Sequence, residues 1–482
     1  MVRPTRVSRR RRARGRARLA VALAALVLIA AAAANLLSSS GLPPLPAPGA
    51  AQPARAGDPF AYVPGRQAAL IARATAGNAH VLFTKSPGGA YATAARVAAF
   101  RPLIEAATAN TGVDPNVLEG IVFLESGGDP NVIAGGDPVN AAGLTQIVAE
   151  TGQSLLGMHV NLARSEQLTA AIDHAAALGQ SATVTRLERA RAKIDDRFNP
   201  ALALATTVRY LVLARIRFSR SDLAVVSYHM GIGNLENVLA GYGVGAGVPY
   251  VQLFFDTAPD HHGAAYQLLS GFGDDSWTYY WRVLAAEQIM RLYRTDPATL
   301  RRLATLQTDT DSAAYVLHPP DPADTFADPG QLDNAYAQHL IRPLPANAAA
   351  LGLAYDPGMG SLAHRLGVSA ALYRGLRAPA LALLIELAAR VRTLSGTAAP
   401  LIVTSTVIDQ RYQQMIGIDD PTSAEGWSFT IARRYASAAQ ATAFQAMLDR
   451  LQALDVIAWQ RYPEEIEVTV SSDAAQVIRN GP

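Results

Sequence analysis

The chain has 482 residues, half of them hydrophobic, no cysteine and a formal net charge of +3. That length suits two or three domains, and the missing thiol excludes disulfide support, thiolate nucleophiles and cysteine zinc sites. The charge is lopsided. Residues 1–18 hold nine arginines and no acid; taking those nine from the 42 basic side chains leaves 33 against 39 acidic ones, so the body carries −6. The basic character belongs to a tail, and no nucleic-acid partner is expected.

In chain order, residues 1–18 read as a basic cytoplasmic tail. Residues 19–37 (LAVALAALVLIAAAAANLL) are apolar apart from Asn35, long enough to span a bilayer core as a helix. Arginine before this stretch and none soon after it puts the N-terminus in the cytoplasm and the body outside. A cleaved signal sequence gives the same topology with a secreted product. Residues 38–58, rich in Ser, Pro, Gly and Ala, read as a semi-extended linker. From 59 to 300 apolar residues keep helical spacing, as at Val117, Ile121 and Leu124 and at Leu204, Val208 and Leu211. Asp114-Pro115 and Asn199-Pro200 mark helix starts. The charged run 186–197 reads as a solvated helix face. Residues 301–350, rich in Pro, Asp and Ala, read as a linker. From 351 to 482 the pattern is mixed: helices over 378–391 and 436–451, strands over 401–405, 427–431 and 465–470. The expected fold is mainly α: an N-terminal membrane helix, an all-α domain over 59–300 and a small α+β domain over 351–482.

Glu125 is the sharpest chemical feature. It follows Leu118, Ile121 and Val122 at spacings of seven, four and three, so it lies on their apolar stripe. Desolvation there disfavours the charged form and suits a general acid. Asp129 and Asp137 read as turn formers or caps. Asp256, Asp260, His261 and His262 are the one cluster with metal-like content, but their spacing fits no ligand pattern and adjacent loop histidines read as solvated. No metal or other cofactor is expected.

The order of motifs resembles the soluble lytic transglycosylase family, with its goose-lysozyme-like catalytic domain. The carriers are Glu125-Ser126 with Pro130, then Gly143-Leu144-Thr145-Gln146-Ile147, Asn199-Pro200 running to Tyr210-Leu211, Ser227-Tyr228-His229-Met230-Gly231-Ile232-Gly233, and a late tyrosine, Tyr279 or Tyr280. The resemblance covers about 59–300. It implies cleavage of the MurNAc–GlcNAc β-1,4 bond of peptidoglycan strands, with 1,6-anhydro ends. Glu125 would be catalytic, oriented by Ser126 and Tyr280. Gln146 would line the cleft, and Tyr228, His229 and Gly231 would shape the sugar site. Thr145 stands where the family has methionine, and His229-Met230 where it has Asn-Ala; substrate choice and pH profile are open there. A hydrolytic muramidase and a non-catalytic wall-binding scaffold remain alternatives.

The region 365–475 more distantly resembles the zinc D-Ala-D-Ala carboxypeptidase family. Ile402-Val403-Thr404-Ser405, Arg411, Gln413 and Ser423-Ala424-Glu425-Gly426-Trp427-Ser428-Phe429-Thr430-Ile431 carry it. Ser423 and Thr430 occupy the places of a histidine and an aspartate ligand. The resemblance therefore implies a degenerate module without zinc, a candidate docking site for cell-wall or divisome proteins.

Overall fold

The computed structural model describes residues 58–481 except 244, 309–311 and 320. The basic tail, the 19–37 segment and nearly all of the Pro-rich stretch lie outside the described residues. Among the described residues no helix is long and apolar enough to cross a membrane. The described chain is mainly helical. Its contacts divide it into two compact units, one from Thr93–Gly247 and one from the described parts of Ala50–Ala92 and Val248–Pro482. Residues 58–92 and 248–300, read above with the helical domain, therefore cluster with the C-terminal stretch.

In the first unit the helix Pro115–Ser126 starts where the Asp114 carboxylate accepts the Asn116 N–H at 2.8 Å. Pro115 takes the first turn, where its missing N–H costs nothing. The helix stops because Gly127 adopts a left-handed φ of 57°. Leu118, Ile121 and Val122 are fully buried, each worth about 1.5–3 kcal/mol of transfer free energy. The long helix Pro200–Phe218 is capped by the Asn199 side chain, which accepts the N–H of Ala201 and of Leu202. It packs on Arg101–Thr108 and Ser221–Met230, and Leu162–Ala177 packs on Ser181–Arg191. Two strands, β1 (Ala141–Ala142) and β2 (Ile147–Val148), pair antiparallel. Two residues each are too short for a visible alternation, so the all-helical expectation missed them.

The charged run 186–197 is not a uniformly solvated face. Arg191, Asp195 and Arg197 are buried at 2%, 0% and 0% exposure. Arg191 donates to Thr169 Oγ1 at 2.9 Å and lies 3.7 Å above the Phe198 ring. Arg197 closes on Asp195 at 2.7 Å. Burial is tolerated because Arg197 and Asp195 are paired and Arg191 is hydrogen-bonded to Thr169 and Asn131.

In the second unit β3 (Ile341–Pro343) is the first of seven further strands, with β4 (Leu353–Tyr355), β5 (Gly375–Arg377), β6 (Leu401–Ser405), β7 (Ser428–Ala432), β8 (Ile457–Arg461) and β9 (Glu465–Val470). β3 and β5 form an antiparallel pair; the others form one sheet in the order β4-β6-β7-β9-β8, parallel only at β4–β6. Phe429, Ile431, Ile466, Val468 and Val470 point into the core, while Ser428, Thr430, Glu465 and Glu467 alternate to the other face. The helices Ala378–Ser395 and Ala438–Ala453 pack on each other and on the sheet. The 301–350 stretch, read as a linker, carries the helices Ala313–Leu317 and Pro329–Ala337. Phe326, Leu332, Ala335 and Ile341 join Tyr373, Val407 and Tyr412 in one core cluster. These helices are too short to leave a periodic signal.

Candidate active site

Glu125 sits in the last turn of Pro115–Ser126, half-buried, below three fully buried residues of its own face. The turn after it is held from within. Ser126 Oγ donates to Val122 O at 3.2 Å and accepts the Gly128 N–H at 3.2 Å. Arg96 Nε donates to Gly127 O at 2.9 Å. A side chain at Gly128, with φ of 80°, would place Cβ 2.8 Å from Val97 N, so this approach requires glycine. Ser126 thus fixes the backbone behind Glu125.

The second segment is the loop through Thr145 and Gln146. Gly143, at φ of 79°, lies so close to Arg197 that a Cβ would fall 1.8 Å from the Arg197 carbonyl oxygen. Gln146 holds a left-handed φ of 52°. For a residue with a Cβ this costs about 1–2 kcal/mol, offset by its amide donating to Gly143 O at 2.9 Å and Val132 O at 3.2 Å. Its amide donor therefore shapes the loop. The Arg197 guanidinium binds the same loop from beneath, donating to Pro138 O at 2.8 Å, Asn140 O at 2.9 Å and Ile147 O at 3.4 Å. Sequence reasoning missed Arg96 and Arg197, because both act on carbonyl oxygens that any sequence offers.

Tyr228 anchors the second segment. Its hydroxyl donates to Thr145 O at 2.6 Å and lies 3.3 Å from Thr207 Oγ1. Its ring meets Tyr210 edge-on, with centroids 5.3 Å apart. Burial, and after it the negative charge of Glu125, push the Tyr228 phenol well above its ordinary range, so Tyr228 stays a neutral donor within the field of Glu125. Thr145 is itself fully buried; through its backbone oxygen it is the seat of Tyr228. His229 is half-buried in the same helix. Gly231, at φ of 88°, makes the break between Ser221–Met230 and Ile232–Tyr242. Tyr280 belongs to the second unit, where it packs on Tyr250 and Trp281 with centroids 5.9 and 5.1 Å away.

Four other acids of the first unit are already engaged. Glu119 is fully buried and accepts Arg101 Nη1 at 3.0 Å. The carboxylates of Asp129 and Asp137 accept the N–H of Asn131 and Val139 at 2.8 and 3.0 Å, as turn formers do. Asp195 is clamped by Arg197.

Residues 102–181 match the family model described as Transglycosylase SLT domain. This stretch is a transglycosylase SLT domain. It contains Glu125, Ser126 and Gln146; Tyr228, His229, Gly231 and Tyr280 follow it in the chain. The domain marks a transglycosylase-type enzyme that acts on peptidoglycan.

In the second unit the residues matched to the carboxypeptidase pattern meet at a cavity of about 530 Å³. Thr404, Ser423, Ser428 and Thr430 line it together with Asp419, Asp420, Glu465 and Glu467. Thr404 Oγ1 lies 2.6 Å from Thr430 Oγ1 and donates to Glu465 at 2.8 Å. Gln413 is used internally, bridging Ile408 O and Asp420. No histidine is among the lining residues.

Proposed function

We propose that this chain is a lytic transglycosylase that cleaves the MurNAc–GlcNAc β-1,4 bond and leaves 1,6-anhydro-MurNAc ends. The observation that carries the reading is the placement of Glu125 within the matched domain: a half-buried carboxyl in the last turn of Pro115–Ser126, below the fully buried Leu118, Ile121 and Val122. In this reading protonated Glu125 gives its proton to the glycosidic oxygen. The C–O bond to the anomeric carbon of MurNAc breaks, and the acetamido oxygen of the same sugar takes up the developing positive charge. Glu125, now a carboxylate, removes the proton of the MurNAc 6-hydroxyl. That oxygen closes on the anomeric carbon, the acetamido group is released and the acid is regenerated. One carboxyl suffices, as in other substrate-assisted glycosidases. The prior engagement of Glu119, Asp129, Asp137 and Asp195 supports a mechanism without a second one.

The proposal places the enzyme at the cell membrane, anchored through residues 19–37 with its body outside, and acting in wall remodelling. Ser126 and Gln146 are positioning residues, and His229 and Gly231 border the sugar. The α+β part of the second unit would be a non-catalytic module that engages wall peptide or divisome proteins. The test is mass spectrometry of peptidoglycan incubated with the chain and with its Glu125→Gln variant. Anhydro-muropeptides from the parent, absent with the variant, are expected. Reducing ends would instead make the enzyme a muramidase, and full turnover by Glu125→Gln would remove Glu125 from the mechanism.

A further inference from the structure

The turn that follows the helix Tyr250–Asp256 gathers Asp256, His261 and His262. The two histidines were expected in solvent, yet the structure buries them at 9% and 8% exposure, with Asp256 at 7%. The cause is local. Ala258 and His261 exchange both backbone hydrogen bonds, at 2.8 and 3.1 Å, closing a tight loop. His262 then adopts a left-handed φ of 50°, which turns its ring back before Gly263 opens the helix Gly263–Gly271. Arg450, from Ala438–Ala453, holds the loop by donating to Phe255 O at 2.9 Å and Thr257 O at 2.6 Å.

The consequence is a compact donor set. Asp256 Oδ1 lies 3.6 Å from His261 Nδ1, and Asp256 Oδ2 lies 3.6 Å from His262 Nε2. One donor atom from each of the three residues falls within 4.8 Å of the other two. A tetrahedral zinc ion with bonds near 2.0–2.1 Å separates its donors by about 3.4 Å, a spacing that Asp256 Oδ2 and His262 Nε2 already approach. His261 carries a second sign. Its Nδ1 lies 2.7 Å from the Asp256 carbonyl oxygen, which can accept a proton from it but give none, so Nδ1 carries the hydrogen and Nε2 a lone pair. That Nε2 is buried and has no hydrogen-bond partner among the described residues. An unmet buried acceptor is costly. An imidazole whose other nitrogen donates to a backbone carbonyl is the usual state of a metal-ligating histidine.

We propose that Asp256, His261 and His262 form a zinc site that pins the 256–263 turn of the second unit. Two imidazoles and one carboxylate are a zinc donor set, with the fourth position left to water or to the second Asp256 oxygen. This site is independent of the glycan chemistry and stands or falls without it.

The test uses the untagged full chain, stripped with a chelator and titrated calorimetrically with zinc chloride. One zinc per chain, a raised melting temperature of the second unit and at least about tenfold weaker binding by His261→Ala and Asp256→Asn are expected. Absence of zinc binding, or unchanged affinity in both variants, overturns the site. Should the variants fail to fold, cobalt(II) loaded into the parent chain decides. Intense visible bands of a four-coordinate ion with nitrogen ligands support the site, and the pale spectrum of octahedral aqueous cobalt overturns it.

Discussion

Replacing Arg197 by methionine should unlock the loop that carries Thr145 and Gln146. Methionine keeps much of the apolar stem but none of the donors. Asp195, fully buried, would lose contacts of 2.9 and 2.7 Å. It would retain the Ser165 hydroxyl at 2.8 Å and a backbone N–H at 3.3 Å. The carbonyls of Pro138, Asn140 and Ile147 would lose their donor as well. Stranding one member of a buried ion pair costs about 3–5 kcal/mol; the carbonyl losses overlap with this, so about 4 kcal/mol is the expected total. Removing both charges, in Arg197→Met with Asp195→Leu, should recover at least half of it, since no bare carboxylate then remains. All four tryptophans (277, 281, 427 and 459) lie in the second unit, so tryptophan fluorescence follows that unit and serves as the internal control. Amide hydrogen exchange over 138–147 in graded urea reports the first unit. A single-variant loss below about 1 kcal/mol, or a double variant at least as unstable as the single one, would refute the clamp.

Two further outcomes follow from the same contacts. Tyr228→Phe leaves Thr145 O and Thr207 Oγ1 without the phenol; stability should fall by only about 1 kcal/mol, while turnover of purified sacculi falls about ten- to hundredfold through misplacement of the acid, and an unchanged rate would exclude Tyr228 from the site. Glu467 is pushed up to about 8 by burial, then by the charge of Asp420 and a hydrogen bond to it. The folded state thus holds a proton that the unfolded chain releases near 4.5, so this stabilisation is full below about 4.5 and is lost as pH rises towards 8. Glu467→Gln should gain on the parent across that window, by roughly 2–4 kcal/mol at pH 8, in denaturant titrations followed by tryptophan fluorescence. A difference that does not change with pH would refute the assignment.

What was legible in the sequence was whatever depends on one segment alone. The helices Pro115–Ser126 and Pro200–Phe218 start at the Asp-Pro and Asn-Pro pairs that announce them. The strands Leu401–Ser405, Ser428–Ala432 and Glu465–Val470 follow their β-branched or alternating runs. What was not legible depends on partners. Charge composition cannot distinguish a solvated arginine from Arg197 sealed against Asp195, nor a loop histidine in water from His261 folded back on Asp256. The partition of contacts, with 58–92 joined to 248–481, is equally a property of the tertiary structure.

The same asymmetry governs the candidate site. Glu125, Ser126 and Gln146 stood out because their side-chain types carry a motif. The groups that hold them do not, because the acceptors are backbone carbonyls: Gly127 for Arg96, Thr145 for Tyr228, Pro138, Asn140 and Ile147 for Arg197, and Val132 and Gly143 for Gln146. A carbonyl is present at every position, so only the donor leaves a trace in the sequence, and its target is fixed by the fold. This also explains how Thr145 can stand in a motif position without harm to the scaffold. Its backbone oxygen, and not its side chain, receives Tyr228, so a substitution there can leave the Tyr228 contact intact. Side chains at 145 can thus vary while the geometry behind Glu125 is kept by donors that read only the main chain.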